Sequence, residues 1–254
     1  MIIAVDIGNS SIRIGFFTGA DLLVLTMDTW PMLTGGEYTS RLNAFIREIN
    51  IDKTAEGIII SSVVPGHTGV IAGSLAEFGS GEPLIVSHRI VTGLVFAIPA
   101  PGELGADRIA NSVAAYERYK CPVAVIDFGT ATTISVVGKE ANYIGGAIMP
   151  GVRLMSESLA KGTAKLPAVS VSWPGSALGA NTLKGIQSGI LYGTVGAVER
   201  ILHEIDAETG LDLKIAVTGG NGSLFAGSLR MKCDFLPNLT LEGLRIIHMR
   251  NRDA

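Results

Sequence analysis

A chain of 254 residues with 47% apolar side chains and a mean hydropathy of +0.41 has the length for one large or two modest domains and the apolar content for a sizeable core, which excludes intrinsic disorder. Its formal net charge of −3 and pI near 5.8 provide no general pull toward nucleic acid, and the absence of an apolar run of about 18 residues excludes a membrane-spanning helix. Met1 opens directly on strand-like sequence without a basic, cleavable leader, so a cytoplasmic protein is expected, with Cys121 and Cys233 as reduced thiols outside any metal-ligand spacing.

The first stretch, MIIAVDIGNSSIRIGFF (1–17), reads as an apolar strand, an Asp-x-Gly turn and a second strand. A third strand is expected over 22–27. Residues 34–49 predict an amphipathic helix with Tyr38, Leu42, Phe45, Ile46 and Ile49 on one face. The run EGIIISSVV (56–64) suits a strand buried on both faces of a parallel or mixed sheet, and Pro65 and Gly66 end it. A short helix to about residue 78, a strand at 84–86 and a helix at 106–119 complete an α/β domain over 1–119. VAVIDFGTATTISVV (123–137) then opens a second domain, expected over 120–254. It continues with a strand at 142–148, helices near 152–161 and 181–205, a strand at 213–217, and helices at 223–229 and 241–249. No linker or low-complexity segment separates the halves, which predicts packed domains with a hinge near Lys120.

The two hairpins carry the chemistry. Asp6, Gly8, Asn9, Ser10 and Ser11 in the first match Asp127, Gly129, Thr130, Thr132 and Thr133 in the second: a carboxylate, a glycine and a row of small hydroxyls. A single Asp-x-Gly turn is as well read as an ordinary hairpin. A matched pair, each near the start of one half, points to an internal duplication. Such tips bring backbone N–H groups and hydroxyls close to an anion, and two of them could clamp a polyphosphate and its metal.

Three further stretches stand out. In PGELGADR (101–108), Asp107 falls at a helix start, where first-turn amides favour a carboxylate; the pair Asp107–Arg108 reads equally as a capping acid with a solvated guanidinium, or as a base and a guanidinium fork for a small acidic substrate. GGAIMPGVR (145–153) is a glycine-rich strand end. TGGNG (218–222) lies between an apolar strand and a helix, a place suited to a nucleotide-facing loop. Neither a P-loop nor a G-x-G-x-x-G fingerprint occurs, and His67, His88, His203 and His248 form no metal-ligand pair.

Together DIGNSSI, PGELGADRIAN, DFGTATT, GGAIMPG and LAKGTAKLP, with LGANTLKGIQSGILYG and LTLEGLRII, resemble the type III pantothenate kinases over nearly the whole chain. The resemblance implies two duplicated actin-like, ribonuclease H-like α/β domains with mixed sheets and an ATP cleft between them. It implies transfer of the γ-phosphate of ATP to the primary hydroxyl of pantothenate, opening coenzyme A synthesis, by a homodimer. Carried over, Asp6, Ile7, Gly8, Asn9, Ser10, Ser11, Ile12 and Arg13 form the first phosphate loop and Thr130 touches ATP. Asp6 holds Mg²⁺, and Asp127 binds a monovalent cation, K⁺ or NH₄⁺. Gly105, Ala106, Asp107, Arg108 and Thr182 hold pantothenate, with Asp107 as proton acceptor. An aspartate of ordinary pKa, about 3.9, is a weak base, so the proton is expected to move late. One position departs from the family: the tyrosine expected nine residues before the catalytic aspartate is Ile98 here. That departure leaves room for a catalytically impaired regulatory relative or a kinase for another small hydroxy compound.

Overall fold

The structure, a computed structural model, describes residues 1–51, 54–79 and 81–252, which form two compact units. In the first, β1 (Ile2–Ile7), β2 (Ser11–Thr18) and β3 (Asp21–Asp28) make an antiparallel meander, followed by α1 (Gly35–Glu48), β4 (Gly57–Ser62), α2 (Pro65–Leu75), the short strands β5 (Leu84–Ile85) and β6 (Val95–Phe96), and α3 (Ala106–Tyr119). Its sheet runs β3-β2-β1-β4-β5, with β4 parallel to both β1 and β5. Helix α1 starts where the sequence provides a capping box: Thr34 accepts from the Glu37 N–H, and the Glu37 carboxylate accepts from the Thr34 N–H at 2.8 Å.

The second unit repeats the plan. Strands β7 (Val123–Phe128), β8 (Ala131–Val137) and β9 (Asn142–Pro150) form a second meander, followed by α4 (Val152–Gly162), α5 (Thr182–Thr209), β10 (Lys214–Thr218), α6 (Gly222–Ala226) and β11 (Asp234–Phe235). This unit's own strands run β11-β10-β7-β8-β9, with β10 parallel to β7 and β11, the order in which β5-β4-β1-β2-β3 run in the first. Ile126, Phe128, Ile134 and Val136 pack against Leu191, Val198 and Leu202 of α5, and Phe128 stacks on Phe225 of α6 at 4.5 Å.

The last helix, α7 (Leu239–Arg250), was expected to complete the second half; it packs instead on β1, β4 and β2 and belongs to the first unit. The alternation of β1 shows why the first unit accepts it. Ile3, Val5 and Ile7 face α1 and α2, where Tyr38, Leu42, Ile46, Ile71 and Leu75 cover them. Ile2 and Ala4 face the other way and are buried with Ile109, Ala110 and Val113 of α3 and Leu241, Leu244 and Ile247 of α7. A sheet apolar on both faces needs both layers. Gly243 lets α7 press on α3, since a Cβ there would collide with the Ala110 backbone.

Candidate active site

In the first unit Asp6 stands one residue before the C-terminal end of β1, and the turn that follows is closed by the Gly8 N–H donating to the Ser11 carbonyl at 2.9 Å. Alternation along β1 puts Asp6 on the face that carries α3 and α7. Ser61 of β4 is its register partner, fully buried, with an Oγ that has no hydrogen-bond partner. Nothing in the sequence singled Ser61 out; the only hint was the polar pair that ends the apolar run of β4.

Asp107 occupies the second position of α3, half-buried. Its Oδ1 accepts the Arg108 N–H at 2.8 Å. Gly105 lies against it: a Cβ on Gly105 would run into Asp107 Oδ1, with Val63 Cγ1 3.8 Å from that Cβ. Burial pushes the Asp107 carboxyl above the usual aspartate range, outweighing the Arg108 N–H bond and guanidinium, which pull it down. The ordinary basicity expected from the sequence is therefore corrected upward. The capping contact exists, but it does not make Asp107 a stabilised surface carboxylate.

In the second unit Asp127 takes the place of Asp6. The turn is one residue tighter: Asp127 pairs with Thr133 where Asp6 pairs with Arg13, and the Gly129 N–H donates to the Ala131 carbonyl at 3.1 Å. Its register partner on the next strand is Thr218, again a buried hydroxyl residue. Both remaining glycine-rich stretches converge here. Gly219, at φ +92°, passes so close that a Cβ would collide with Asp127 Oδ1 and the Phe128 backbone. Gly151, after β9, donates its N–H to the Thr130 carbonyl at 3.1 Å, and a Cβ there would strike the Gly129 and Thr130 carbonyls. The Asn221 N–H donates to the Phe128 carbonyl at 3.0 Å. Glycine at these positions is what lets Gly219 approach the carboxylate and Gly151 the turn that follows it.

The other expected residues fall as follows. Arg13 points its Nη2 at Asn238 Oδ1, 2.6 Å away, tying β2 to the start of α7. Thr182 is the exposed first residue of α5, beside the cap Asn181, whose Oδ1 accepts the Lys184 N–H at 2.9 Å. Ile98 is half-buried in the loop between β6 and α3. Among the described residues no three His, Cys, Asp or Glu side chains converge. A divalent ion would thus take one or two carboxylates and otherwise phosphate oxygens and water, the habit of Mg²⁺ at nucleotide sites, and one carboxylate at each glycine hairpin fits that habit. No helix among the described residues is long and apolar enough to cross a membrane.

Two α/β units of one topology, each with an aspartate at the end of its first strand and a glycine hairpin after it, define an actin-like fold of the class that includes sugar kinases. Solved structures agree. The ethanolamine utilization protein EutJ from Carboxydothermus hydrogenoformans superposes with a TM-score of 0.55 at 15% identity, covering 96% of this chain and 89% of its own. A putative 2-dehydro-3-deoxygalactonokinase from Sinorhizobium meliloti gives 0.54 at 13% identity, with 98% of each chain covered. The sequence comparisons are narrower: the family model for type III pantothenate kinase matches residues 2–204. Type III pantothenate kinases of Anaeromyxobacter sp. (strain K) and Brevibacillus brevis are 38% and 39% identical over 254 residues, covering 99% of this chain and 100% of theirs. The chain belongs to the type III pantothenate kinase family.

Proposed function

We propose that this chain transfers the γ-phosphoryl group of ATP to the primary hydroxyl of pantothenate, the opening step of coenzyme A synthesis, with Asp107 taking the hydroxyl proton. The observation that carries the assignment of Asp107 is its placement: a half-buried carboxylate in the first turn of α3, with the Gly105 backbone so close that a Cβ there would collide with its Oδ1. Phosphoryl transfer passes through a loose transition state and asks mainly for alignment and charge stabilisation. Residues Asp6 to Arg13 and Thr130 are assigned to ATP, and Gly105 to Arg108 with Thr182 to pantothenate. Bound Mg²⁺ at Asp6 and a monovalent cation at Asp127 would supply positive charge against the phosphates. Asp107 positions the hydroxyl and accepts its proton late, with more driving force than an ordinary aspartate has. An ATP-consumption assay with pantothenate and other small hydroxy acids, run with and without potassium, tests the reading directly. A wild type inert toward pantothenate would end it.

Ile98 modulates that reading. A tyrosine hydroxyl would contribute one neutral hydrogen bond, about 0.5–1.5 kcal/mol net, so its absence weakens pantothenate binding by several-fold to about tenfold. Ile98→Tyr should lower the KM for pantothenate by that factor and leave the KM for ATP alone, with kcat little changed. No improvement with pantothenate, together with better use of another hydroxy acid by the wild type, would show a pocket shaped for that other acceptor.

The proposed setting is a cytoplasmic homodimer. Large apolar side chains are exposed on the second unit, among them Ile148, Leu178, Leu183 and Tyr192, and a partner copy would take them out of water. Light scattering on the purified protein should give twice the mass of one chain, and a monomer at micromolar concentration would remove the claim.

A further inference from the structure

The first hairpin is held from behind by a buried threonine. Thr29, directly after β3, is fully buried. Its Oγ1 donates to the Gly8 carbonyl at 2.7 Å and its N–H donates to the Ser10 carbonyl at 3.2 Å. A trans peptide is planar, with each C=O antiparallel to the following N–H. Turning the Gly8 and Ser10 carbonyls toward Thr29 therefore turns the Asn9 and Ser11 N–H groups away from it, to the opposite side of the turn.

Thr29 is itself fixed. His67 Nε2 lies 2.9 Å from the Thr29 carbonyl, and since a carbonyl only accepts, Nε2 carries the proton. His67 is fully buried, its Nδ1 has no hydrogen-bond partner, and the Trp30 ring meets it edge-on with centroids 4.8 Å apart. The His67 N–H donates to the Val64 carbonyl at 3.0 Å in the first turn of α2. A continuous set of contacts thus runs from α2 through His67 and Thr29 to both sides of the hairpin tip.

We propose that Thr29 is a positioning residue for ATP: it aims the backbone amides of the 8–11 hairpin at the phosphates, and His67 holds it in place to do so. The proposal rests on reading that hairpin as a phosphate loop. Thr29→Val keeps the side-chain shape and the N–H bond to Ser10 and removes only the hydroxyl. The Kd and KM for ATP should rise about three- to tenfold, as expected for losing one aligning hydrogen bond, while the KM for pantothenate stays put. Thr29→Ser restores the donor and should return ATP affinity to near the wild-type value. A merely structural role would lower Tm without separating the two KM values.

The measurement is ATP titration calorimetry on the folded proteins, paired with steady-state kinetics in both substrates. Wild-type ATP affinity in folded Thr29→Val overturns the proposal, and so does a Thr29→Ser protein that is as impaired as Thr29→Val. If Thr29→Val does not fold, His67→Gln reads the same set of contacts: weakened ATP binding with pantothenate KM unmoved supports it, and unchanged ATP binding overturns it. A wild type that binds ATP yet ignores pantothenate would defeat the acceptor assignment alone, and the calorimetry would still decide the part played by Thr29.

Discussion

Asp107→Asn should cut turnover by roughly 10²–10⁴ while leaving ATP affinity close to wild type. The substitution keeps the size and the Oδ1 that accepts the Arg108 N–H, and removes the proton acceptor. Stability should move the other way. Because burial raises the folded-state pKa of Asp107, the folded protein holds its proton more tightly than the unfolded chain. The ionised carboxylate therefore costs stability, beginning as pH rises through the unfolded pKa and fully present above the folded one. At neutral pH the Tm of Asp107→Asn should match or exceed wild type, and the difference should shrink below the ordinary carboxylate range. The same shift places the acidic limb of the wild-type kcat/KM profile above that range, where an unperturbed aspartate would not put it. A helix-terminus residue behaves oppositely: near-normal turnover, with a Tm lowered slightly by loss of the negative charge at the helix N-terminus, would return Asp107 to that role.

Much of this was legible because the signals are local. The hairpin strands around Asp6 and Asp127 are long, apolar and β-branched, and each is followed by an Asp-x-Gly turn, so period and turn chemistry agree. The bounds expected for helix α3, 106–119 after the PGELGADR turn, are the observed ones. The misses have a common cause. Strands β6 and β11 are two residues each, too short to show any period. The amphipathic pattern of α7 says that one face is buried and cannot say against which sheet, and the choice is made by the apolar side of β1 and the Gly243 contact with Ala110. Asp107's basicity depends on what surrounds it, which composition does not encode. Ser61, Thr29 and His67 reach the hairpin region through strand register and side-chain bonds between segments about twenty to sixty residues apart, a distance over which sequence carries no pairing signal.

Asp127→Ala should abolish both activity and the response to potassium. In the wild type, replacing sodium by potassium or ammonium is expected to raise turnover steeply. The structure supplies the physical basis for expecting a hard-cation site at this spot. Asp127 is half-buried; Gly129 and Gly219 lie against its carboxylate, and Gly151 backs the Gly129–Thr130 turn from behind. Carboxylate and carbonyl oxygens are the ligands that alkali cations take, and glycine is what lets several backbones approach one carboxylate. Gly219→Ala is the sharper companion. It leaves the carboxylate in place, and its Cβ, at a backbone φ of +92°, would collide with Asp127 Oδ1, so the cation response should be blunted while pantothenate KM changes little. Any folding defect would show as a lowered Tm, which Asp127→Ala should not share to the same degree. Equal activity of the wild type in choline, sodium and potassium salts would remove the cation from the argument. The convergence of glycines on Asp127 would then serve the shape of the turn, and Asp127→Ala should still lose activity through misplacement of Thr130.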